Sequence, residues 1–274
     1  MTTHFKRINL VAGTVFVGIV VLMAALGTIY TPYDPVEGDL LARFAAPSAA
    51  HWLGTDEFGR DVLSRIMAGA GVSVAVSVGT VAFATLLGGV LGILTGYLGG
   101  WTDRIIMVFL ESLMAFPGLL LALGIMAIVG PSKSGVVLAL GLAYTPSVAR
   151  IARATVFGLR QRDYVVASQV MGNSGWWTVW RHILPNCAAP LLIFATSLFG
   201  SALLAESALS FLGLGVPPPA ASWGGMLSDA RNAMEQAIWL SIFPGIMISL
   251  ALLGINMLGD ALRDLLDPRM NGGH

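Results

Sequence analysis

Two glutamates, Glu111 and Glu206, interrupt long apolar stretches of this 274-residue sequence. A carboxylate inside a segment that crosses a bilayer is energetically costly, so such a residue is a functional candidate by default. Each acid could line a path for a polar solute, contact an amine or a cation, or hold neighbouring helices together through hydrogen bonds. The third alternative, a structural acid at a helix interface, stays open for both. Pro117 lies in the same apolar segment as Glu111 and permits a bend, which makes it a candidate gate residue.

Residue types that build metal or nucleophilic sites are scattered along the chain. The histidines fall in different segments and predict no metal site: His4, His51, His182 and His274. Cys187 is the single cysteine, which excludes an internal disulfide and a cysteine metal site. We interpret it as a small buried hydrophobe. No Ser/His/Asp arrangement and no acid pair typical of glycosidases is present, so the sequence predicts no catalytic residue and no cofactor or metal in this chain.

A glycine pair in the stretch HWLGTDEFGRDVLSR has the spacing of a phosphate-binding loop. Such a loop needs a lysine and a hydroxyl residue after its second glycine, whereas Arg60 and Asp61 follow Gly59. We therefore interpret residues 54–58 as a turn. The helix that follows is expected to carry Asp61 and Arg65 as an i,i+4 ion pair.

The composition defines the class of protein. The chain is 56% hydrophobic and 11% charged, with a mean hydropathy of +0.79, which is too apolar for a domain whose surface faces water. The sequence therefore predicts an all-α integral membrane protein. Its formal net charge is zero and it has no basic, aromatic-interleaved surface, so nucleic acid is not an expected partner.

Apolar segments of about 20 residues, long enough to cross a hydrocarbon core of about 30 Å, predict six transmembrane helices. Five are clear: Leu10 to Ile29, Val72 to Leu98, Ile105 to Val129, Leu191 to Leu214 and Ala237 to Leu258. The weaker sixth, Gly135 to Val148, is short and contains Pro146, so we expect its helix to continue into the cytoplasm. Ala84, Gly88, Gly92 and Gly96 place a small residue at every fourth position of the second segment, which predicts close helix packing.

The distribution of basic residues predicts that both termini are cytoplasmic. Ten lysines and arginines then lie inside: Lys6, Arg7, Arg104, Arg150, Arg153, Arg160, Arg162, Arg181, Arg263 and Arg269. Five lie outside: Arg43, Arg60, Arg65, Lys133 and Arg231. The first apolar segment is longer than the h-region of a signal peptide, so we interpret it as an uncleaved anchor.

The stretch DYVVASQVMGNSGWWTVWRHILPN, residues 163–186, lies on the predicted inner side between two spans. It is amphipathic, has a glycine near its middle and ends in a leucine-proline pair. This pattern resembles the EAA-type signature of ABC-importer permeases, which marks the short coupling helix that sits on the ATPase. Gly172, Leu184 and Pro185 match the signature, while Val166, Ala167 and Ser168 stand where the family often has Glu-Ala-Ala. We expect the coupling helix at about residues 164–182.

Three tryptophans of this stretch, Trp176, Trp177 and Trp180, have two open interpretations. They could pack into a groove of an ATPase, as the resemblance implies. Interfacial tryptophans also lie commonly at lipid headgroups.

Three further strings resemble one family in particular. They are LGTDEFGRDVLSR, AESALSFLGLGV followed by three prolines and Ser-Trp-Gly, and the closing NMLGDALRDLLDPR. Together they are similar to the dipeptide, oligopeptide and nickel permease family of ABC importers, and more specifically to its C-type subunit. The resemblance extends from about His51 to Arg269.

The resemblance implies a type I ABC importer permease fold in a bacterial inner membrane. Residues 1–71 would form an anchor helix and outer loop, and residues 72–274 a permease core of five transmembrane helices. The implied partners are a homologous second permease subunit, two ATPases that bind ATP and Mg²⁺, an external solute-binding protein, and membrane lipid. The expected cargo is a di- or oligopeptide, with nickel complexes, glutathione and opine-like compounds as alternatives.

Two other classes of function stay open from the residues alone. A proton-coupled secondary carrier could use Glu111 and Glu206 as relays, without ATPase partners. A membrane scaffold or an intramembrane enzyme would have no cargo and no paired permease.

The second outer loop, residues 215–236, begins with an extended segment that lacks backbone donors, Pro217 to Pro219. Trp223 follows beside two glycines and is expected to be exposed, either on a partner or at the outer headgroups. Because the loop is longer than a plain connector requires, we expect a lid or a docking surface for the binding protein.

Overall fold

A computed structural model describes residues 2–266, with side chains from Asn9 to Asp264. Arg269 and His274, and hence the C-terminal end of the topology prediction, lie outside these residues. The described part is helical and contains no strand. Its α-helices are α1 (Thr2–Ile29), α2 (Val62–Leu98), α3 (Gly100–Met114), α4 (Gly118–Val129), α5 (Lys133–Arg160), α6 (Asp163–Val170), α7 (Gly175–Thr178), α8 (Leu184–Phe211), α9 (Trp223–Ala230) and α10 (Trp239–Leu266).

Five helical stretches in the described residues are long and apolar enough to cross a membrane. They are Asn9–Ile29, Val62–Leu98, Lys133–Arg160, Gly175–Phe211 and Trp239–Asp264. The short fourth span predicted from sequence does continue, to Arg160 at the end of α5. The fifth begins well before Leu191, because α7, a π-helical turn over Val179–Ile183 and α8 are continuous.

The predicted third span, Ile105 to Val129, is divided into two helices at the position where Pro117 was expected to permit a bend. α3 and α4 meet at an angle of 91°, with the break at residues 115–117. Pro117 precedes the first residue of α4, with φ of −54° and ψ of 127°. Its ring has no amide hydrogen to continue a helix, so the chain turns there. Counted as one span, the bent pair brings the described spans to six, as predicted.

The small-residue stripe of α2 packs against α5, as predicted. A β-carbon added at Gly88 would lie 2.6 Å from the carbonyl oxygen of Thr145, and one at Gly96 would lie 2.7 Å from the β-carbon of Val156. The two backbones therefore approach closely, and any larger side chain on this stripe would separate them.

Of the four buried apolar clusters in the described residues, the two largest are named the inner core and the outer core after the predicted orientation of the chain. The inner core joins α2, α5 and α8 around Val148, Ile183 and Cys187, which is buried as predicted. The outer core joins α1, α2, α8, α9 and α10 around Ile66 and Trp223. Each core therefore positions one end of the molecule.

Candidate functional site

The stretch predicted as a single coupling helix consists of two short helices, α6 and α7, joined by a tight turn. The backbone amide of Gly172 donates to the carbonyl oxygen of Gln169 (3.0 Å). The backbone amide of Asn173 donates to the carbonyl oxygen of Ser168 (3.2 Å). Gly172 has φ of +81°. These two hydrogen bonds around a left-handed glycine form a Schellman motif, which ends a helix. The chain turns at Gly172, and this turn divides the expected helix.

A buried cluster of polar side chains holds α6 against α7 through hydrogen bonds. The hydroxyl oxygens of Ser168 and Thr178 lie 3.0 Å apart, and both side chains are buried. The side-chain amide of Asn173 donates to Ser168 (3.2 Å). Ser174 caps α7, since its hydroxyl oxygen accepts a hydrogen bond from the amide of Trp177 (3.2 Å). The turn therefore has one defined geometry, and Ser168 serves it as a structural residue.

The outer surface of the α6–α7 pair is apolar and exposed. Val170 and Met171 beside the turn are 81% and 73% exposed, and Trp176 is 63% exposed. Ala167 is exposed on α6. An exposed apolar patch at the end of a membrane helix suits contact with a protein partner or with lipid.

Trp176 also borders a cavity of about 110 Å³ against the end of α2, lined by Leu94, Tyr97 and Gly175. One side of this tryptophan therefore contacts its own chain. The structure leaves its outer side free for a partner or for lipid.

Leu184 and Pro185 begin α8 instead of ending the coupling segment. Pro185 follows the π-helical turn inside the continuous helix from Gly175 to Phe211, where its missing amide hydrogen interrupts the backbone hydrogen bonding. Leu184 is half-buried against the inner core, while Pro185 is exposed. The pair therefore links the exposed α6–α7 surface to a long membrane helix.

At the opposite end of the molecule, Trp223 is buried, and the expectation of an exposed tryptophan is wrong. Its side chain is 0% exposed, and its indole N–H donates to the carbonyl oxygen of Ile66 (3.1 Å). A β-carbon on the neighbouring Gly224 would meet backbone atoms of Ser207. The glycine lets α9 lie directly on α8, and this close approach carries the tryptophan into the outer core.

Glu206 lies beneath α9 and is fully buried. Its carboxylate accepts a hydrogen bond from Ser210 (2.8 Å), whose hydroxyl oxygen accepts one from Ser222 (3.3 Å). Ser222 is the N-cap of α9, and the amide of Trp223 donates to Ser73 on α2 (3.2 Å). The acid therefore sits in a hydroxyl cluster that joins α2, α8 and α9, and it does not reach the surface of this structure.

The i,i+4 pair expected between Asp61 and Arg65 is wrong. Asp61 caps α2 through the amide of Ser64 (2.8 Å) and lies 3.0 Å from His51. The guanidinium of Arg65 instead forms two ion pairs. Its Nε lies 3.4 Å from Oδ2 of Asp56, and its Nη2 lies 3.5 Å from Oδ2 of Asp229 on α9. Because a helix cap needs the carboxylate at the helix start, Asp61 cannot also turn toward Arg65.

Arg65 thus ties the loop between α1 and α2 to α9. Within the segment interpreted as a turn, residues 57–58 form one, which is closed by the amide of Gly59 donating to the carbonyl oxygen of Asp56 (3.0 Å). A cleft of about 420 Å³ lies between the two outer segments, bordered by Arg60, Asp229 and the exposed prolines Pro218 and Pro219. Burial raises the pKa of the Asp229 carboxyl above its usual value, while Arg65 opposes this shift. Pro217 lies beside the cleft and is exposed.

Glu111, in contrast to Glu206, is exposed on α3. Four residues before the break at residues 115–117, its carbonyl oxygen accepts a hydrogen bond from Ala115 (3.1 Å). α3 is joined to α5 by a two-pronged ion pair of Asp103 with Arg153, at 2.5 and 2.6 Å. Glu111 is therefore exposed and Glu206 is buried, a difference that their positions within apolar segments did not predict.

Among the residues with described side chains, no group of His, Cys, Asp or Glu could hold a metal ion.

Comparison with known proteins agrees with this architecture. Residues 88–272 match the family described as the binding-protein-dependent transport system inner membrane component. A putative peptide transport system permease protein of Brucella suis is 44% identical over 97% of this chain and 89% of its own length. The dipeptide transport system permease protein of Alkalihalophilus pseudofirmus is 40% identical, over 95% and 86%. The glutathione transport system permease protein of Pectobacterium atrosepticum is also 40% identical, over 95% and 87%.

Proposed function

We propose that this chain, which belongs to the family of binding-protein-dependent transport system inner membrane components, forms half of the pore of an ATP-driven importer for di- and oligopeptides. The observation that carries the proposal is the similarity over nearly the whole chain to permease proteins named for peptide and dipeptide transport. The glutathione permease relative keeps glutathione, itself a small peptide, as the second candidate cargo. Nickel complexes and opine-like compounds rank below both.

The α6–α7 pair supports the part of the proposal that concerns the energy source, which is a separate ATPase. A chain whose sequence carries no nucleotide-binding loop needs a separate ATPase, with ATP and Mg²⁺ bound there. The exposed apolar surface around Val170, Met171 and Trp176 suits a groove on such a subunit. Since α8 follows this surface through Leu184 and Pro185, movement of the ATPase would be transmitted directly to a membrane helix.

The other proposed partners follow from the same family. A homologous second permease completes the pore, and an external solute-binding protein delivers the cargo. The exposed prolines Pro217 and Pro218 beside the outer cleft are the proposed contact for the binding protein. In this arrangement the chain is not itself catalytic.

Reconstitution tests the proposal. The two permeases, their ATPases and the binding protein, assembled in proteoliposomes, are expected to take up labelled dipeptide only when ATP and the binding protein are both present. Glutathione and a nickel chelate serve as competing cargoes. Uptake driven by a proton gradient without ATPases would instead support a secondary carrier and would contradict the proposal.

The orientation of the chain is a second prediction. The basic residues place α6 and α7 in the cytoplasm and the loop between α1 and α2 outside. In a Cys187→Ala background, an impermeant thiol reagent added to intact cells should label Leu41→Cys, which is 98% exposed, and not Val170→Cys. Val170→Cys should become reactive in broken membranes that lack the ATPases. The reverse labelling pattern would invert the topology.

A further inference from the structure

Exposed polar side chains follow one face on each of two membrane helices, α5 and α8. On α5, Tyr144 and Ser147 are half-exposed and Arg150 is exposed, and the three recur at every third position. Residues three or four apart lie on the same face of a helix, so the three form one stripe. On α8, Ser197 and Ser201 are both exposed and four residues apart, which gives a second stripe.

One hydrogen bond places the two stripes side by side. The hydroxyl of Tyr144 donates to the carbonyl oxygen of Ser201 (3.2 Å), at an exposed position. Counting about 1.5 Å per residue, this contact lies about 24 Å from the inner end of α5 and about 15 Å from the outer end of α8. The combined surface, which we call the polar face, is therefore inside the membrane-spanning part of the chain.

Opposite charges stand at the inner end of the polar face. Along α3, Glu111 lies between Asp103, which pairs with Arg153, and Met114, whose sulfur lies 3.0 Å from the guanidinium of Arg150. These two contacts hold α3 against the turns of α5 that carry Arg150 and Arg153, and Glu111 lies between them on α3. The acid and the arginine are both exposed there.

A face of this composition does not suit lipid. The exposed positions of α2 differ from the polar face, since Val78, Leu86 and Val90 are apolar, which is what a lipid-facing surface requires. Exposed charge and hydroxyl groups inside the hydrocarbon region are costly unless they face water or protein. The polar face therefore turns toward a wet path or toward a protein neighbour.

We propose that the polar face lines the translocation path and supplies hydrogen-bond partners to a peptide in transit. The inference rests on the proposed function and names the part of the chain that cargo touches. Hydroxyl groups match the amides and carbonyls of an extended peptide, and Glu111 with Arg150 matches its terminal ammonium and carboxylate.

Cysteine accessibility in the assembled complex tests this inference. Ser147→Cys and Ser201→Cys are made in a Cys187→Ala background with cysteine-free partner subunits, in lipid nanodiscs. Leu86→Cys on the apolar face of α2 is the matched control. A water-soluble thiosulfonate should modify both serine-site cysteines about tenfold or more faster than the control, because only a hydrated thiol forms the reactive thiolate. Saturating dipeptide with binding protein, during ATP hydrolysis, should slow that modification.

Two results would overturn the inference. The first is modification of Ser147→Cys and Ser201→Cys at the slow rate of Leu86→Cys. The second is oxidative cross-linking of Ser201→Cys to a single cysteine introduced on a helix of the otherwise cysteine-free second permease, which would show that a partner helix covers the polar face. Labelling is read separately from ATP-driven uptake of dipeptide by the same complex. A hydrated face in a complex that moves no dipeptide would contradict the proposed function instead, and the two failures remain distinguishable.

Discussion

Replacing Gly172 by valine is expected to reduce ATP-driven uptake by about tenfold or more, whereas Gly172→Asn should retain most of it. Gly172 has φ of +81°, a conformation that costs an ordinary L-residue about 1–2 kcal/mol and a β-branched residue more. Asparagine adopts this left-handed backbone conformation more readily than other residues that have a side chain. No atom lies within 4 Å of a β-carbon built at this position, so backbone conformation, and not a clash within the chain, decides the outcome.

The mechanism of that loss is local. A Schellman motif that cannot form leaves the carbonyls at the end of α6 unbonded and changes the direction in which α7 leaves the turn. Val170 and Met171 would then be displaced from the proposed ATPase contact, while the membrane helices remain folded. The measurement is uptake by each variant at matched membrane levels, with copurification of the ATPases as a second readout. Equal uptake by Gly172→Val and the unmodified protein would remove the α6–α7 turn from the coupling pathway.

The fold was predictable wherever one physical signal dominated. Segments of about 20 apolar residues located the membrane helices, because the bilayer sets their length. The glycine stripe of α2 predicted a close neighbour, and α5 is that neighbour. The break between α3 and α4 was missed, although Pro117 was identified as a possible bend. Hydropathy does not report where a chain bends, so two consecutive apolar helices at 91° have the hydropathy profile of one span.

The candidate site was less predictable, because its geometry depends on contacts between distant residues. Trp223 illustrates the limit: its burial needs Ile66 and Ser73, which are about 150 positions away in the sequence. The adjacent glycine was a usable signal, since a residue without a side chain often marks a close approach of two backbones. The pairing of Ser168 with Thr178 had no signal in the sequence, although the two residues flank Gly172, which the sequence did single out.

Trp223→Ala is expected to prevent stable assembly of the complex, in contrast to substitution of the exposed prolines nearby. Truncating a buried tryptophan typically costs about 3–5 kcal/mol, through lost burial and the cavity left behind. Trp223 is 0% exposed and contacts the core of α1, α2, α8 and α10. Trp223→Phe keeps most of the apolar volume but loses the hydrogen bond to Ile66, so it should be intermediate. The thermal stability and the yield of the purified complex should both decrease from the unmodified protein to Trp223→Phe and then to Trp223→Ala.

Exposed prolines provide the matched test of docking at the same end of the molecule. Pro217→Ala with Pro218→Ala removes no buried contact, so assembly and basal ATP hydrolysis should stay near those of the unmodified complex. If these prolines contact the binding protein, stimulation of hydrolysis by the loaded binding protein should require a higher concentration of it. An unchanged stimulation curve would leave this segment as a connector. A Trp223→Ala complex that assembled normally would instead mean that α9 is held chiefly by Arg65, Asp229 and the hydroxyl cluster at Glu206.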